Sequence, residues 1–282
     1  MKNLLERVKE TKVAYTHAGI FHADDVFSSA LLKYINPEIE IKRVFNITDL
    51  DEEKDLIFDI GAGEFDHHQP NNQKKLRDNF IPYAAFGLLW KELGTYILGE
   101  KEAKKFDEDF VQSIDYSDNT GISNTISSFI ASFNPNWNET ISTDEKFNEA
   151  VDIALSLLGN KFKSIIGKQE AVEIVEKLYE DASCKQIIVF PRFIPWQEVL
   201  VGTEAQFVIF PSNRGGYNLQ IVPNAGEIPR ELWGAKEFKL DGMAINEVKG
   251  MTFCHPGGFL ASFDTVENAY NAAKNFLVLK AN

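Results

Sequence analysis

The strongest constraint on the fold is a set of short apolar runs, each ending in a polar residue and each separated from the next by helical spacing. Val13-Ala14-Tyr15-Thr16 reads as a buried strand that ends at His17 and turns at Gly19. Asp24 to Ile35 has helical spacing, with Val26, Ala30, Leu31 and Tyr34 on the apolar side, and Asn36-Pro37 stops it. Ile39 to Val44 alternates as a second strand, and Leu56-Ile57-Phe58-Asp59-Ile60 is a third, closed by Gly61-Ala62-Gly63. Apolar strands separated by helices predict a parallel sheet covered on both faces. In such open sheets ligands bind beyond the carboxyl ends of the strands. The loop from His17 to Asp25, the residue Asp59 and the loop Asp66-His67-His68 are therefore predicted to meet in one crevice.

Further along, Ala84 to Leu98, Glu102 to Ile114 and Thr125 to Phe133 read as helices, and Asn134 to Asn138 as a loop. Helical pattern resumes from Asp144 to about Leu158 and from Lys168 to Asp181. From Lys185 the character changes. Gln186 to Phe190, Phe207 to Phe210 and Tyr217 to Val222 are strand-like, separated by turn signals such as Asn213-Arg214-Gly215-Gly216, and Thr265 to Leu277 closes as a helix. The expectation is an α/β protein of two domains: residues 1–165, a linker helix over 166–183, and a smaller α/β domain over 184–282.

Composition narrows the function classes. The formal net charge of -13 argues against a surface that coats duplex nucleic acid, which needs clustered Lys and Arg. It leaves room for one phosphorylated end in a local cationic or metal-lined pocket. Two cysteines, Cys184 and Cys254, make no disulfide framework. The charged start Met1-Lys2-Asn3-Leu4-Leu5-Glu6-Arg7 has no apolar signal core, and no stretch approaches the ~20 apolar residues of a membrane span. A cytoplasmic protein is expected.

All five histidines lie in short motifs rather than on ordinary surface. The first cluster offers His17, His22, Asp24 and Asp25 within nine residues. Imidazole and carboxylate together suit manganese, iron or zinc, while magnesium prefers oxygen ligands alone. No thiolate is near, so a structural zinc site is not expected. Capping of the following helix competes as an explanation for Asp24 or Asp25, but it leaves His17 and His22 unexplained. The second cluster is Asp66-His67-His68-Gln69, in which one histidine can ligate while its neighbour faces substrate and a carboxylate orients a ring. A third group holds Asp115 and Asp118, three apart and neighbours on a helix face. Either could close a metal site, or the pair could simply solvate a helix end.

Here the chain resembles a known family. Thr16-His17-x-Gly19-x-Phe21-His22-x-Asp24, the strand end Asp59-Ile60-Gly61, Asp66-His67-His68-Gln69 and Ile114-Asp115-x-x-Asp118-Asn119 are similar to motifs of the melanocyte-proliferating-gene family, within the DHH superfamily of phosphoesterases. In the second half, Pro195-Trp196-x-Glu198, Ile228-Pro229-x-x-Leu232-Trp233-Gly234 and Phe253-Cys254-His255-Pro256-Gly257-Gly258-Phe259 look like its C-terminal segments. One departure stands out: many relatives place two aspartates where this chain has His22 and Asp24.

The resemblance implies a DHH-type N-terminal domain, a C-terminal substrate-binding domain and a two-ion phosphohydrolase. Mn2+ is the expected metal, with Mg2+, Zn2+ or Fe2+ as alternatives. On that reading Asp59 bridges two ions, His17 and His22 complete one site, and Asp24, His67 and either Asp118 or Asp115 complete the other. His68 contacts the scissile phosphate or acts as general acid, with Asp25 and Asp66 beside it in the catalytic group. His255, Gly257, Gly258, Arg192, Arg214 and Arg230 are candidates for substrate contact, because glycine turns let backbone amides approach a phosphate and Arg grips its oxygens bidentately. The expected function is a phosphodiesterase or 3′–5′ exonuclease acting on RNA or short oligonucleotides. A small-molecule phosphatase or pyrophosphatase is the alternative within enzymes, and a metal-retaining regulatory protein, homo-oligomeric or not, is the alternative outside them.

Overall fold

The computed structural model describes residues 3–51, 54–68, 75–223, 248–255 and 257–281. The chain divides into two compact units, Met1–Ile166 and Gly167–Asn282. Ile228 to Gly234, Arg230 among them, lie outside the described residues, as do Gln69 and Pro256.

The first unit opens with helix α1 (Leu4–Glu10), which the sequence pattern did not suggest; the Asn3 side chain caps it by accepting from Glu6 N–H at 2.9 Å. Strand β1 (Val13–His17), helix α2 (Ala23–Ile35), strand β2 (Glu40–Val44) and strand β3 (Leu56–Ile57) follow. The sheet is parallel in the order β2-β1-β3, with Thr16 opposite Arg43 and Tyr15 opposite Ile57. β3 is shorter than the apolar run predicts. Phe58 still donates to Tyr15 C=O at 3.0 Å, but the backbone then turns at Asp59, whose φ is 56°. Helices α3 (Ala85–Leu98), α4 (Glu100–Phe106), α5 (Gln112–Thr120) and α6 (Thr125–Ala131) complete the layer. A π-helical turn, Asp107–Val111, joins α4 to α5, so the single helix expected over 102–114 is longer and carries an extra residue in its middle. α2 is buried from Ala23 to Leu32 on every side, which a helix at the centre of a unit requires. Its Phe27 meets Phe86 of α3 and Phe110 of the π turn at ring distances of 5.5 and 5.3 Å.

Helix α7 (Thr143–Asp181) replaces the two helices expected over 144–158 and 168–181, and the division between units falls inside it. Gly159 and Gly167 stand at the two ends of the gap between the expected helices. Neither has any atom within 4 Å of where a Cβ would stand, and each is absorbed at the ~1 kcal/mol that an interior helical glycine costs.

The second unit is a five-stranded sheet in the order β4-β5-β6-β8-β7, built from β4 (Ile187–Val189), β5 (Phe207–Pro211), β6 (Tyr217–Ile221), β7 (Met251–Cys254) and β8 (Leu260–Phe263). β4 and β5 are parallel and the remaining pairs antiparallel. The short helix α8 (Gln197–Leu200) lies between β4 and β5 in sequence, and α9 (Val266–Ala281) closes the chain. Alternation in β5 assigns its faces: Phe207 and Ile209 pack with Ala269, Ala273 and Phe276 of α9, while Val208 and Phe210 pack with Ala171 and Val175 of α7, Trp196 and Leu200. β7 and β8, at four residues each, stand where the sequence reading placed no strand.

Candidate functional site

The carboxyl end of the parallel sheet delivers the first group of side chains. β1 ends at His17, the chain turns at Gly19 with φ 94°, and α2 starts one residue after His22. His17 Nε2 lies 3.1 Å from Asp25 Oδ2 and 3.2 Å from Asp59 Oδ2. Burial works against a charge on this ring, but hydrogen bonds to and the charges of Asp25 and Asp59 outweigh it and push the imidazole up to about 11.

The turn after β3 is built from three residues with positive φ: Asp59, Gly61 at 91° and Ala62 at 59°. Aspartate tolerates this region better than most side chains, and a Cβ on Gly61 would stand 2.4 Å from Ile47 Cδ1. The turn folds the chain back so that Asp59 N–H donates to Phe65 C=O at 3.0 Å, which brings His67 beside Asp59, Nδ1 to Oδ1 at 3.3 Å. Asp66 is spent on the loop itself. It accepts from the backbone N–H groups of Ala62, His67 and His68 and from His68 Nδ1 at 2.6 Å. Although burial alone would raise it, these donors hold the Asp66 carboxyl down at about 2, and in return Asp66 raises His68 above the ordinary histidine value.

α5 supplies the last group and separates the two aspartates that the sequence left as alternatives. Asp118 faces the histidines: His67 Nε2 is 2.8 Å from Oδ2 and His22 Nδ1 is 3.5 Å from Oδ1. Asp115, one turn earlier, points into the unit and is fully buried. It accepts from Arg77 Nη2 at 2.7 Å and from Gly87 N–H at 3.1 Å, in the first turn of α3. That turn has no side-chain cap of its own, so Asp115 satisfies one of its orphan donors from outside. Its position is thus set by Arg77 and α3, away from the cluster. Burial pushes its carboxyl up to about 7, Arg77 offsetting only part of that penalty.

Three groups of side chains have ligand atoms close enough to share an ion: His17 with Asp25 and Asp59; His22 with Asp24 and Asp118; and Asp59 with Asp66, His67 and His68. The grouping differs from the sequence reading in two respects. His22, expected to share an ion with His17, stands with Asp24 and Asp118, because the residue before α2 projects toward α5; the two rings are 6.0 Å apart. Asp25, read from sequence as a catalytic or capping residue, both caps His22 N–H at 3.0 Å and joins His17. Sequence reasoning had no signal for this pairing, since it depends on where α2 points its first turn.

The electrostatics test whether cations fit. Both carboxylate oxygens of Asp24 are buried without a hydrogen-bond partner, and Asp25 Oδ2 and the Asp59 oxygens are buried beside the rings of His17 and His67, at 3.1 to 3.3 Å. Burial first, then the charges of Asp59, Asp118 and Asp25, drive the Asp24 carboxyl well above its ordinary value, and burial likewise raises Asp59. Converging buried carboxylates with open lone pairs form an arrangement that is costly without a cation and suited to one. The donors are imidazole nitrogen and carboxylate oxygen without thiolate, a set that fits Mn2+, Fe2+ or Zn2+. Two clefts meet at this centre. One of about 540 Å³ is lined by His22, His67, His68, Ser117, Asp118 and Asn119 among others. The other, of about 610 Å³, is lined by His17, Ile20, Asp59, Ile60, Asp66 and His68 among others.

The candidates for substrate contact belong to the second unit. His255 sits in the turn between β7 and β8, where its Nδ1 accepts from Gly257 N–H at 3.0 Å and its ring lies 4.3 Å from that of Phe259. Gly258, with φ 69°, donates to His255 C=O at 2.8 Å, so the two glycines shape this turn around the ring. Arg192 and Arg214 are exposed.

Residues 13–277 match the family model MYG1_exonuc, described as "Uncharacterised protein family (UPF0160)". The MYG1 protein of Saccharomyces cerevisiae is 26% identical over 96% of this chain and 98% of its own length. The human MYG1 exonuclease is 27% identical over 94% of this chain and 86% of its own, and the bovine MYG1 exonuclease 29% over 92% and 83%. Among solved structures, the pGpG-specific phosphodiesterase PggH from Vibrio cholerae aligns over 96% of this chain and 99% of that one, at 13% identity and a TM-score of 0.32. That superposition is too loose to carry an argument.

Proposed function

The chain belongs to the MYG1_exonuc family, and from that premise we propose that it is a divalent-metal phosphodiesterase of the DHH type, acting as an exonuclease on RNA or short oligonucleotides. The observation that carries the reading is the convergence of the buried carboxylates of Asp24, Asp25 and Asp59 with His17, His22, His67 and Asp118. The names of the mammalian relatives, MYG1 exonuclease, support the reaction class.

His17, Asp25 and Asp59 would hold one ion, and His22, Asp24 and Asp118 a second, with Asp59 and His67 between the groups. Manganese is the proposed metal. When bound, such a pair supplies Lewis acidity, lowers the pKa of a water and offsets charge on the attacking and leaving oxygens. The protein's own part is positioning and proton transfer. Asp66 engages His68 Nδ1 at 2.6 Å and so fixes the ring, which lines both clefts and is 60% exposed at its side chain. Asp66 raises the affinity of the His68 ring for a proton, which suits Nε2 to the role of proton donor. As water adds to phosphorus and the phosphorus–oxygen ester bond breaks, that proton passes to the leaving oxygen. The lining of the two clefts contains no Lys or Arg among the described residues. With a net charge of -13, this favours a short substrate with one phosphate at the centre over a long polyanion.

The test is to prepare the protein free of metal, restore Mn2+ and assay short RNA, short DNA, dinucleotides and pyrophosphate. Turnover of the dinucleotides and short RNA that depends on Mn2+ and is lost in Asp59→Asn and His67→Ala is expected. Full turnover by either variant contradicts the assignment, and turnover of pyrophosphate alone moves the chain to the pyrophosphatases.

A further inference from the structure

The first two histidines of the centre are presented by a segment without regular structure, and its backbone is held from outside. Between His17 and His22, Ala18 N–H donates to Val44 C=O at 2.8 Å, and His22 N–H to Asp25 Oδ1 at 3.0 Å. His17 Nδ1 lies 3.1 Å from Ala18 C=O, and two side chains distant in sequence add further contacts. Arg43, on β2, donates from Nε to His17 C=O at 3.2 Å and from Nη2 to Gly19 C=O at 2.6 Å. Asn134, in the loop after α6, accepts from Phe21 N–H at 3.1 Å and donates to Phe21 C=O at 2.8 Å. The amide thus pairs with Phe21 as a neighbouring strand would. Ile20, 71% exposed, is the residue of the segment left facing solvent.

Arg43 is itself immobilised. Its side chain is only 3% exposed; Nη1 pairs with Asp144 at 2.7 Å, and the guanidinium lies 4.6 Å over the Phe147 ring and 5.6 Å from that of Phe21. Phe21 packs edge-on against Phe147 at 5.6 Å and is fully buried. Neither Arg43 nor Asn134 is among the residues lining the two clefts at the centre.

We propose that Arg43 and Asn134 are positioning residues for the divalent-ion centre: they lock the backbone from His17 to Phe21 so that His17 is delivered to Asp25 and Asp59 and His22 to Asp118. The proposal rests on the metal-centre reading above. A ligand set is useful only when its members are fixed before the ion arrives, and the groups that orient ligands contribute heavily to affinity. The guanidinium fork spans two carbonyls at once. A lysine ammonium keeps the charge and the pairing with Asp144 but is a single point, and cannot reproduce both bonds. Asp at position 134 keeps the acceptor for Phe21 N–H and loses the donor to Phe21 C=O, turning attraction into repulsion.

The experiment compares Arg43→Lys and Asn134→Asp with the wild-type full chain, each prepared free of metal. Far-UV circular dichroism verifies the fold, titration calorimetry measures Mn2+ binding, and turnover is followed against Mn2+ concentration. Both variants are expected to stay folded and to bind Mn2+ about 10–100-fold more weakly, the range seen when groups behind metal ligands are removed. Turnover should recover as Mn2+ is raised, with KM for the nucleotide substrate unchanged, a pattern that loss of stability alone would not produce. A folded variant that binds Mn2+ as tightly as the wild type overturns the proposal; should Arg43→Lys fail to fold, Asn134→Asp decides it. A wild-type chain that takes up no Mn2+ overturns the centre itself, and so is distinguishable from failure of the brace alone.

Discussion

Gly87→Ala should destabilise the first unit through one contact. Gly87 lies in the first turn of α3, and its N–H donates to Asp115 Oδ1 at 3.1 Å. A Cβ built on it would stand 1.8 Å from Asp115 Oδ2 and 2.6 Å from Arg77 Nη2. Asp115 cannot swing away into solvent, because it is fully buried and its helix packs against α2 and α3. The methyl must therefore push the carboxylate off Arg77, which also pairs with Asp107 at 2.8 and 2.6 Å and donates to Pro82 C=O at 3.2 Å. Breaking a buried ion pair costs ~3–5 kcal/mol, and alanine returns ~1 kcal/mol of helix propensity. The net loss is ~2–4 kcal/mol, which for a unit of this size lowers the melting temperature by roughly 4–16 °C. Thermal unfolding of metal-free protein measures it. The same substitution in an Asp115→Ala background should cost much less, since the obstructing carboxylate is gone and only the end of the Arg77 side chain has to shift. A Gly87→Ala protein that melts with the wild type, or one that is equally damaged in both backgrounds, refutes the packing argument. α5 also carries Asp118, so weaker Mn2+ binding should accompany the loss.

Two further outcomes follow from the electrostatics. Burial raises the folded-state carboxyls of Asp24 and Asp59 above their ordinary values, so their contribution to stability is complete below the ordinary carboxylate range and is lost as pH rises through the folded values. Metal-free protein should then melt lower at neutral than at mildly acidic pH, with Mn2+ removing the difference; a melting temperature that rises with pH in the absence of metal contradicts this. Asp66 shifts the other way, down to about 2, so its contribution is present above the ordinary carboxylate value and is lost as pH falls through about 2. The melting-temperature gap between wild type and Asp66→Asn should be full at pH 7 and narrow on acidification; a gap independent of pH would show that Asp66 acts through shape rather than charge.

Much of the site was legible because its residues sit where periodicity breaks. His17 and Asp59 are read at the ends of apolar runs, and a parallel sheet puts both at one edge. The crevice follows from that alone. What the sequence could not supply is direction. Asp115 and Asp118 look equivalent at a spacing of three, and only the buried Arg77 and the open first turn of α3 separate them. His17 and His22 are expected to share one ion, yet His17, at the end of β1, stands beside Asp59, and His22, just before α2, stands toward Asp118. Arg43 and Asn134 carried no signal at all, since a side chain that bonds to distant backbone has no periodicity to betray it. In the fold, α7 runs through the gap left between the two expected helices, since a long helix can absorb its glycines, and β7 and β8 stand where no strand was expected.

The most direct test is to titrate metal-free protein with Mn2+ while following both binding stoichiometry and hydrolysis of a dinucleotide, in the wild type and in Asp59→Asn. Asparagine keeps the size and the tolerance for the φ of 56° while removing the charge that stands in two of the three ligand groups. Two ions per chain with hydrolysis that rises as they bind, and both lost or sharply weakened in the variant, is the expected result. Hydrolysis that persists in excess chelator, or an Asp59→Asn protein that binds Mn2+ and turns over like the wild type, would contradict a two-ion centre at this site.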